Sequence, residues 1–301
     1  MRELVATPCT TERYELGESC RWDQVREELS WVDVYAGQFL RAHAHGESVE
    51  IIRRYDLGGH VSATAPMASR QDGWIVARDQ AILALGEDGT TRELAAPEAA
   101  RPDVRLNDGA ADPWGRFWIG SMAYDEAEGR ASLYRFDEVS GVTTVLESVT
   151  ISNGLAWSAD RSTMYYIDTA TAAVSAFELD ADGLPTRRRV VVQLDGEREG
   201  YPDGMCIDDN GDLWVALFNG HGVRQYSPNG ELLTSVRVET RQVTSCAIGG
   251  SGGTTLYITT GQERMSDEER RSDSLAGCLF CVDVGVSAPA ILAFGASARR
   301  G

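Results

Sequence analysis

At 301 residues the chain has room for two average domains or one large all-β domain, and it can bury a core without disulfide or metal staples. Its formal charge of -18 argues against nucleic acid or an anionic membrane as a partner. All 28 basic residues are arginine, so the absence of lysine excludes Schiff-base chemistry and a P-loop lysine.

The opening stretch MRELVATPCTTERYELG (1–17) lacks the apolar core of a signal peptide. No later run approaches the roughly 18–20 apolar residues of a membrane span. With six cysteines and no export signal, the expectation is a cytoplasmic protein with reduced thiols.

From residue 17 onward one pattern recurs: a polar residue, a short apolar run, a turn, then an aromatic-led strand. It occurs as GESCRWDQVREELSWVDV (17–34), SATAPMASRQDGWIVARD (62–79), NDGAADPWGRFWIGSM (107–122), SNGLAWSADRSTMYYIDT (152–169), YPDGMCIDDNGDLWVALF (201–218) and TSCAIGGSGGTTLYITTG (244–261). The aromatics leading each second strand are Trp31, Trp74, Trp118, Tyr166, Trp214 and Tyr257, spaced 43, 44, 48, 48 and 43 residues apart. Six near-equal repeats of short strands predict an all-β, six-bladed β-propeller with four-stranded blades, a single domain over residues 1–301. Residues before 17 are expected to add a strand beside the C-terminal blade, closing the ring. The polar stretch GQERMSDEERRSD (261–273) reads as a loop or short turn.

In a propeller the first strand of each blade lines a central channel, so equivalent repeat positions converge there. That position holds Glu18, Asp108 with Asn107 beside it, Asn153 and Asp203, and small groups (Ala63, Ser245) in the second and sixth copies. Two readings stand. Asn-Gly and Asp-Gly are ordinary turn dipeptides; alternatively, carboxylates and amides gathered on an axis need a compensating cation. Such an all-oxygen set suits calcium, magnesium or manganese ahead of zinc.

Other candidate chemistry is weaker. Cys278 and Cys281 form a CxxC, but a strand points i and i+3 to opposite faces. GGSGG (249–253) matches the nucleophile-elbow pattern yet occupies a predicted hairpin turn. His43 and His45 share a strand face without a third ligand, His60 opens no motif, and His221 follows the fifth-repeat strand near the channel mouth.

The motifs GESCRW (17–22), RLNDGAADPWGRFWIGSM (105–122), SNGLAWSAD (152–160), YPDGMCIDDNGDLWVALF (201–218) and GCLFCVDVG (277–285) together resemble the SMP-30/gluconolactonase/luciferin-regenerating-enzyme family, which includes regucalcin and sugar lactonases. The resemblance implies a six-bladed propeller with one divalent cation (Ca, Mn, Mg or Zn) in its central channel, held by Glu18, Asn153 and Asp203. It implies substrate contacts from Arg105, Asn107 and an acidic residue after the GSM turn, which aligns with Asp125. Cys20 replaces a usual proline, and Asp125 a usual glutamate.

The implied activity is metal-dependent hydrolysis of an aldono-1,4- or 1,5-lactone to the aldonic acid, with a small-molecule sugar lactone as the partner. Asp203 is the candidate general base, Arg105 the fork that holds substrate oxygens, and Asn107 a donor and acceptor for a polyol. The competing readings are a phosphotriesterase or fluorophosphatase using the same metal, and a non-enzymatic calcium-binding propeller. Without the resemblance, Arg105 reads as a surface arginine paired with Asp103.

Overall fold

Runs rich in Val, Ile, Tyr and Trp, broken every few residues by Asp, Asn or Gly, favour short strands joined by tight turns over helices. The computed structural model, which describes residues 1–45, 47–68 and 73–296, arranges these strands in six sheets. Their first strands are Gly17–Asp23, Val61–Pro66, Val104–Ala111, Ser152–Trp157, Tyr201–Ile207 and Val243–Gly249. These six pack on one another around a central axis, and each sheet runs outward from there through antiparallel neighbours. The molecule is a six-bladed β-propeller with four-stranded blades.

The N-terminal segment closes the ring as expected. Thr7–Pro8 pairs antiparallel with Phe280–Asp283 and forms the outermost strand of the sixth blade. Arg2–Val5 adds something the repeat did not foretell: a fifth strand on the fifth blade, parallel to Leu232–Arg237.

The buried core divides into six clusters, one between each pair of adjacent blades. The six repeat aromatics all fall in second strands, but they do not face one way. Trp118 packs toward the fourth blade, whereas Tyr166 of the fourth blade packs back toward it. Because strand side chains alternate with period two, a one-residue shift in the repeat turns an aromatic to the opposite wedge. The uneven spacing of the repeats reflects this.

Behind two of the aromatics lies one device. Asp208, in the DDNG turn, accepts the Asn210 and Asp212 N–H groups and the indole N–H of Trp214 at 3.0 Å. Asp112, in the DPWG turn, accepts the Trp114 and Arg116 N–H groups and the Trp118 indole at 2.7 Å. Each carboxylate thereby closes its turn and pins the ring that fills the next wedge. The segment 261–273 is more ordered than a loop: Asp267–Ser272 is a short helix, started by a capping box of Ser266 and Glu269. GGSGG is a turn, as its place in the repeat requires.

Asp208→Ala should cost about 3 kcal/mol of stability, because several donors, including a buried indole, lose one charged acceptor. Denaturant unfolding of the variant measures it.

Candidate functional site

Every first strand carries one residue more than the second strand it pairs with. The extra residue falls between Glu18 and Arg21, Val61 and Ala63, Leu106 and Gly109, Ser152 and Leu155, Pro202 and Met205, and Val243 and Ser245. Such bulges bend a strand and re-aim its side chains. The Asp108-Gly109, Asn153-Gly154 and Asp203-Gly204 dipeptides are therefore not hairpin turns but parts of bulged channel strands. In the second and sixth blades the bulged residues are Ser62 and Thr244, one place before the expected Ala63 and Ser245. The glycines that follow the site residues permit close approach of neighbouring strands. A Cβ on Gly154 would lie 2.8 Å from the Asp203 carbonyl oxygen, and one on Gly204 would lie 2.8 Å from the Thr244 carbonyl oxygen.

One cavity of about 450 Å³ opens at this end of the channel, and Glu18, Arg105, Asn107, Asn153 and Asp203 all line it. Asp125 is the exception. It lies in an exposed turn, where its carboxylate accepts the Ala127 N–H at 3.1 Å. The acidic side chain delivered to the cavity is that of Glu126, which adopts φ +57° and pairs with Arg264 at 2.6 Å. Motif alignment could not locate this one-residue step, because the left-handed turn residue decides which carboxylate faces inward. His221 is likewise exposed, in a tight turn with φ +56°, and is not among the lining residues.

A relay of hydrogen bonds ties three blades together across the cavity floor. Arg105 Nη1 donates to Asn107 Oδ1 at 2.6 Å and to the Leu106 carbonyl at 3.0 Å. Asn107 Nδ2 donates to Asn153 Oδ1 at 3.0 Å and to the Ser152 carbonyl at 2.9 Å. Asn153 Nδ2 donates to Thr169 Oγ1, and Thr169 Oγ1 to the Pro202 carbonyl, each at 2.7 Å. Thr169 thus fixes the Asn153 amide with its nitrogen toward Thr169 and its oxygen toward Asn107. Sequence reading missed Thr169, since nothing in YYIDT marks a threonine at a strand end as oriented inward. It also missed Arg241, which reaches the cavity from the loop after the fifth blade, and Glu263, which reaches it from the connection between the second and third strands of the sixth. Arg105 is not a surface residue: it is 3% exposed, and Asp103 pairs with Arg130 instead.

The carboxylates of the channel are poorly compensated. Burial first, and then the charge of Asp108, push Glu18 up to about 8, although its Oε2 accepts the Ser19 N–H at 2.9 Å. Burial, Glu18 and Asp108 raise Asp203 well above the usual carboxylate range. Among the described residues no hydrogen bond or ion pair holds the Asp203 carboxylate. Asp108 sits deeper, accepting the Gly109 N–H, with Arg21 at 3.5 Å. Among the described residues no three His, Cys, Asp or Glu side chains are grouped to hold a metal. A cation here would therefore depend on the Asn153 amide oxygen together with Glu18 and Asp203. The buried, unpartnered Asp203 carboxylate and the half-buried Glu18 carboxylate, beside an amide oxygen, fit a hard divalent ion.

The chain matches the model of the SMP-30/Gluconolactonase/LRE-like region over residues 16–262. It is 34% identical over 272 residues to 6-deoxy-6-sulfogluconolactonase of Pseudomonas putida, covering 90% of this chain and 92% of that one. It is 34% identical over 277 residues to regucalcin of Danio rerio, covering 90% and 91% respectively. The solved luciferin-regenerating enzyme superposes with a TM-score of 0.88 at 29% identity, covering 96% of this chain and 99% of that one. Among the described residues no helix is long and apolar enough to cross a membrane.

A carboxylate whose proton affinity is higher folded than unfolded lowers stability as pH rises between the two values. Without divalent ion, the thermal midpoint should therefore fall as pH is raised from about 5 to about 8, the window set by the unfolded carboxylate range and Glu18. A saturating divalent ion should flatten this slope. Thermal scans over that range, with and without chelator, read both effects.

Proposed function

Because the chain belongs to the SMP-30/gluconolactonase/LRE-like family, we propose that it is a divalent-metal-dependent lactonase that hydrolyses a sugar lactone to the aldonic acid. The observation that carries this reading is the meeting, in one cavity, of the Glu18 carboxylate and the unpartnered Asp203 carboxylate with the Arg105 guanidinium and the Asn107 amide. The residues for the ion are Glu18, Asn153 and Asp203; when bound there, a divalent cation supplies Lewis acidity toward an ester carbonyl and a water.

The remaining roles belong to the side chains. Arg105 is charged at any working pH, and its first nitrogen is committed to Asn107 and Leu106. The rest of the guanidinium can hold hydroxyl or carbonyl oxygens of a polyol ring. Asn107, locked between Arg105 and Asn153, presents a fixed amide instead of a rotating one. Asp203 accepts the proton of the attacking water, since burial and the Glu18 charge raise its proton affinity. The Glu126–Arg264 pair stands at the cavity wall in the place expected of Asp125, and contributes a carboxylate acceptor for sugar hydroxyls. A neutral polyol ring suits this oxygen- and nitrogen-lined space, and ring opening turns it into an anion that the Glu18 and Asp203 carboxylates repel.

Chelation should abolish aldonolactone hydrolysis and divalent ions restore it, as followed by acid release; turnover that survives complete metal removal overturns the mechanism. Asp203→Asn should lower kcat by about 10²–10⁴-fold. In the metal-free state the same variant should melt higher than the wild type, because a buried repulsion is gone. A purely structural cation site predicts no lactone turnover to lose. Thr169→Val should weaken divalent-ion binding by about 10–100-fold, as measured by calorimetry, because the Asn153 amide loses its orienting partner.

A further inference from the structure

The same six strands that begin with oxygen donors end in a different chemistry. A second cavity, of about 360 Å³, occupies the other end of the channel. Its wall is formed by the far ends of the first strands, including Ala65, Ala111, Ala156 and Ile248, and residues 288–292 lie across it. Three cysteines of those strands line it: Cys20, Cys206 and Cys246.

Cys206 and Cys246 stand on the first strands of the fifth and sixth blades, with their sulfurs 3.9 Å apart. They are not equivalent. Cys246 is fully buried and directs its S–H at the Trp214 carbonyl, 3.4 Å away. Cys206 is partly exposed. The strands are held close just above the pair: a Cβ on Gly204 would lie 2.6 Å from Ser245 Oγ. A disulfide needs sulfurs at about 2.05 Å, so side-chain rotation must roughly halve the present gap while the backbones are already at close quarters.

We propose that Cys206 and Cys246 form a redox pair at the base of the channel, oxidised to an intramolecular disulfide by hydroperoxides that enter the lower cavity. The Cys206 sulfur, the accessible one, attacks the peroxide O–O bond. One oxygen becomes the Cys206 sulfenic acid and the other leaves as water or an alcohol. The Cys246 sulfur then attacks the sulfenic sulfur, the S–S bond forms, and the hydroxyl departs as a second water carrying the Cys246 proton. Two thiols lose two electrons in all, and the peroxide gains them. Asp203 lies three residues before Cys206 on the same strand, so the cross-link pulls on the strand that carries the proposed base.

The test treats the full-length native protein with hydrogen peroxide, then alkylates the remaining thiols after unfolding and maps peptides by mass. The expected result is an intact mass lowered by two hydrogens, one peptide joining Cys206 to Cys246, and reversal by dithiothreitol. Cys206→Ser, at the partly exposed position, should remove the cross-link without disturbing the fold, and Cys246→Ala should remove it independently. Persistence of both thiols in alkylatable form, over-oxidation of Cys206 alone, or a cross-link between other cysteines such as Cys9 and Cys281 overturns the proposal. Lactone turnover, which rests on the reading above, should fall on the order of tenfold or more as the cross-link forms, and should return on reduction. Unchanged turnover at full cross-linking overturns the coupling to Asp203. Because the mass readout needs no substrate, failure of the redox pair and failure of the lactonase reading remain distinguishable.

Discussion

Holding the Glu18 and Asp203 carboxylates in one channel costs free energy, because burial raises the proton affinity of both, the Asp108 charge adds to each, and the Glu18 charge raises that of Asp203 further. A protein that folds around such a pair has to recover the cost elsewhere, and six apolar wedges between blades supply the favourable burial. The proposed cation would offset part of that cost when bound. In the channel the Asp203 carboxylate has no hydrogen-bond partner among the described residues, while Asp208 and Asp112, outside the channel, are engaged by several donors.

Convergence depends on backbone irregularity as much as on side chains. A regular antiparallel strand would present alternate residues to its two wedges and nothing to the axis. One inserted residue per first strand breaks that alternation where Asn107, Asn153 and Asp203 stand, and beside Glu18. Glycine at the next positions lets adjacent strands close around the axis. The Arg105–Asn107–Asn153–Thr169–Pro202 relay then links three of the blades, the third, fourth and fifth, into one floor. Precise placement of oxygen donors follows from this shared frame.

The channel also has polarity along its length. Glu18 precedes Cys20 on one strand, and Asp203 precedes Cys206 on another, so each strand delivers an oxygen donor at one end and a thiol toward the other. The proposed cation site and the proposed thiol pair are thereby separated by only a few residues of strand. Any strain imposed at the lower end has a short, stiff path to the upper one.

The sequence by itself determined the propeller and its ring closure. Periodic apolar runs, Asp/Gly turns and an aromatic in each second strand are local properties, and local patterning decides strands and turns. It also singled out Glu18, Asn107, Asn153 and Asp203, because equivalent positions in a cyclic repeat must converge, while Arg105 came from the family resemblance alone. Tertiary structure alone decided what local pattern does not encode. It chose Glu126 over Asp125 through a single left-handed residue. It brought in Thr169, Arg241 and Glu263 from strand ends and loops, and it set the sulfurs of Cys206 and Cys246, forty residues apart in the chain, side by side. Those contacts join groups distant in sequence across the ring, and no periodicity along the chain carries their distances.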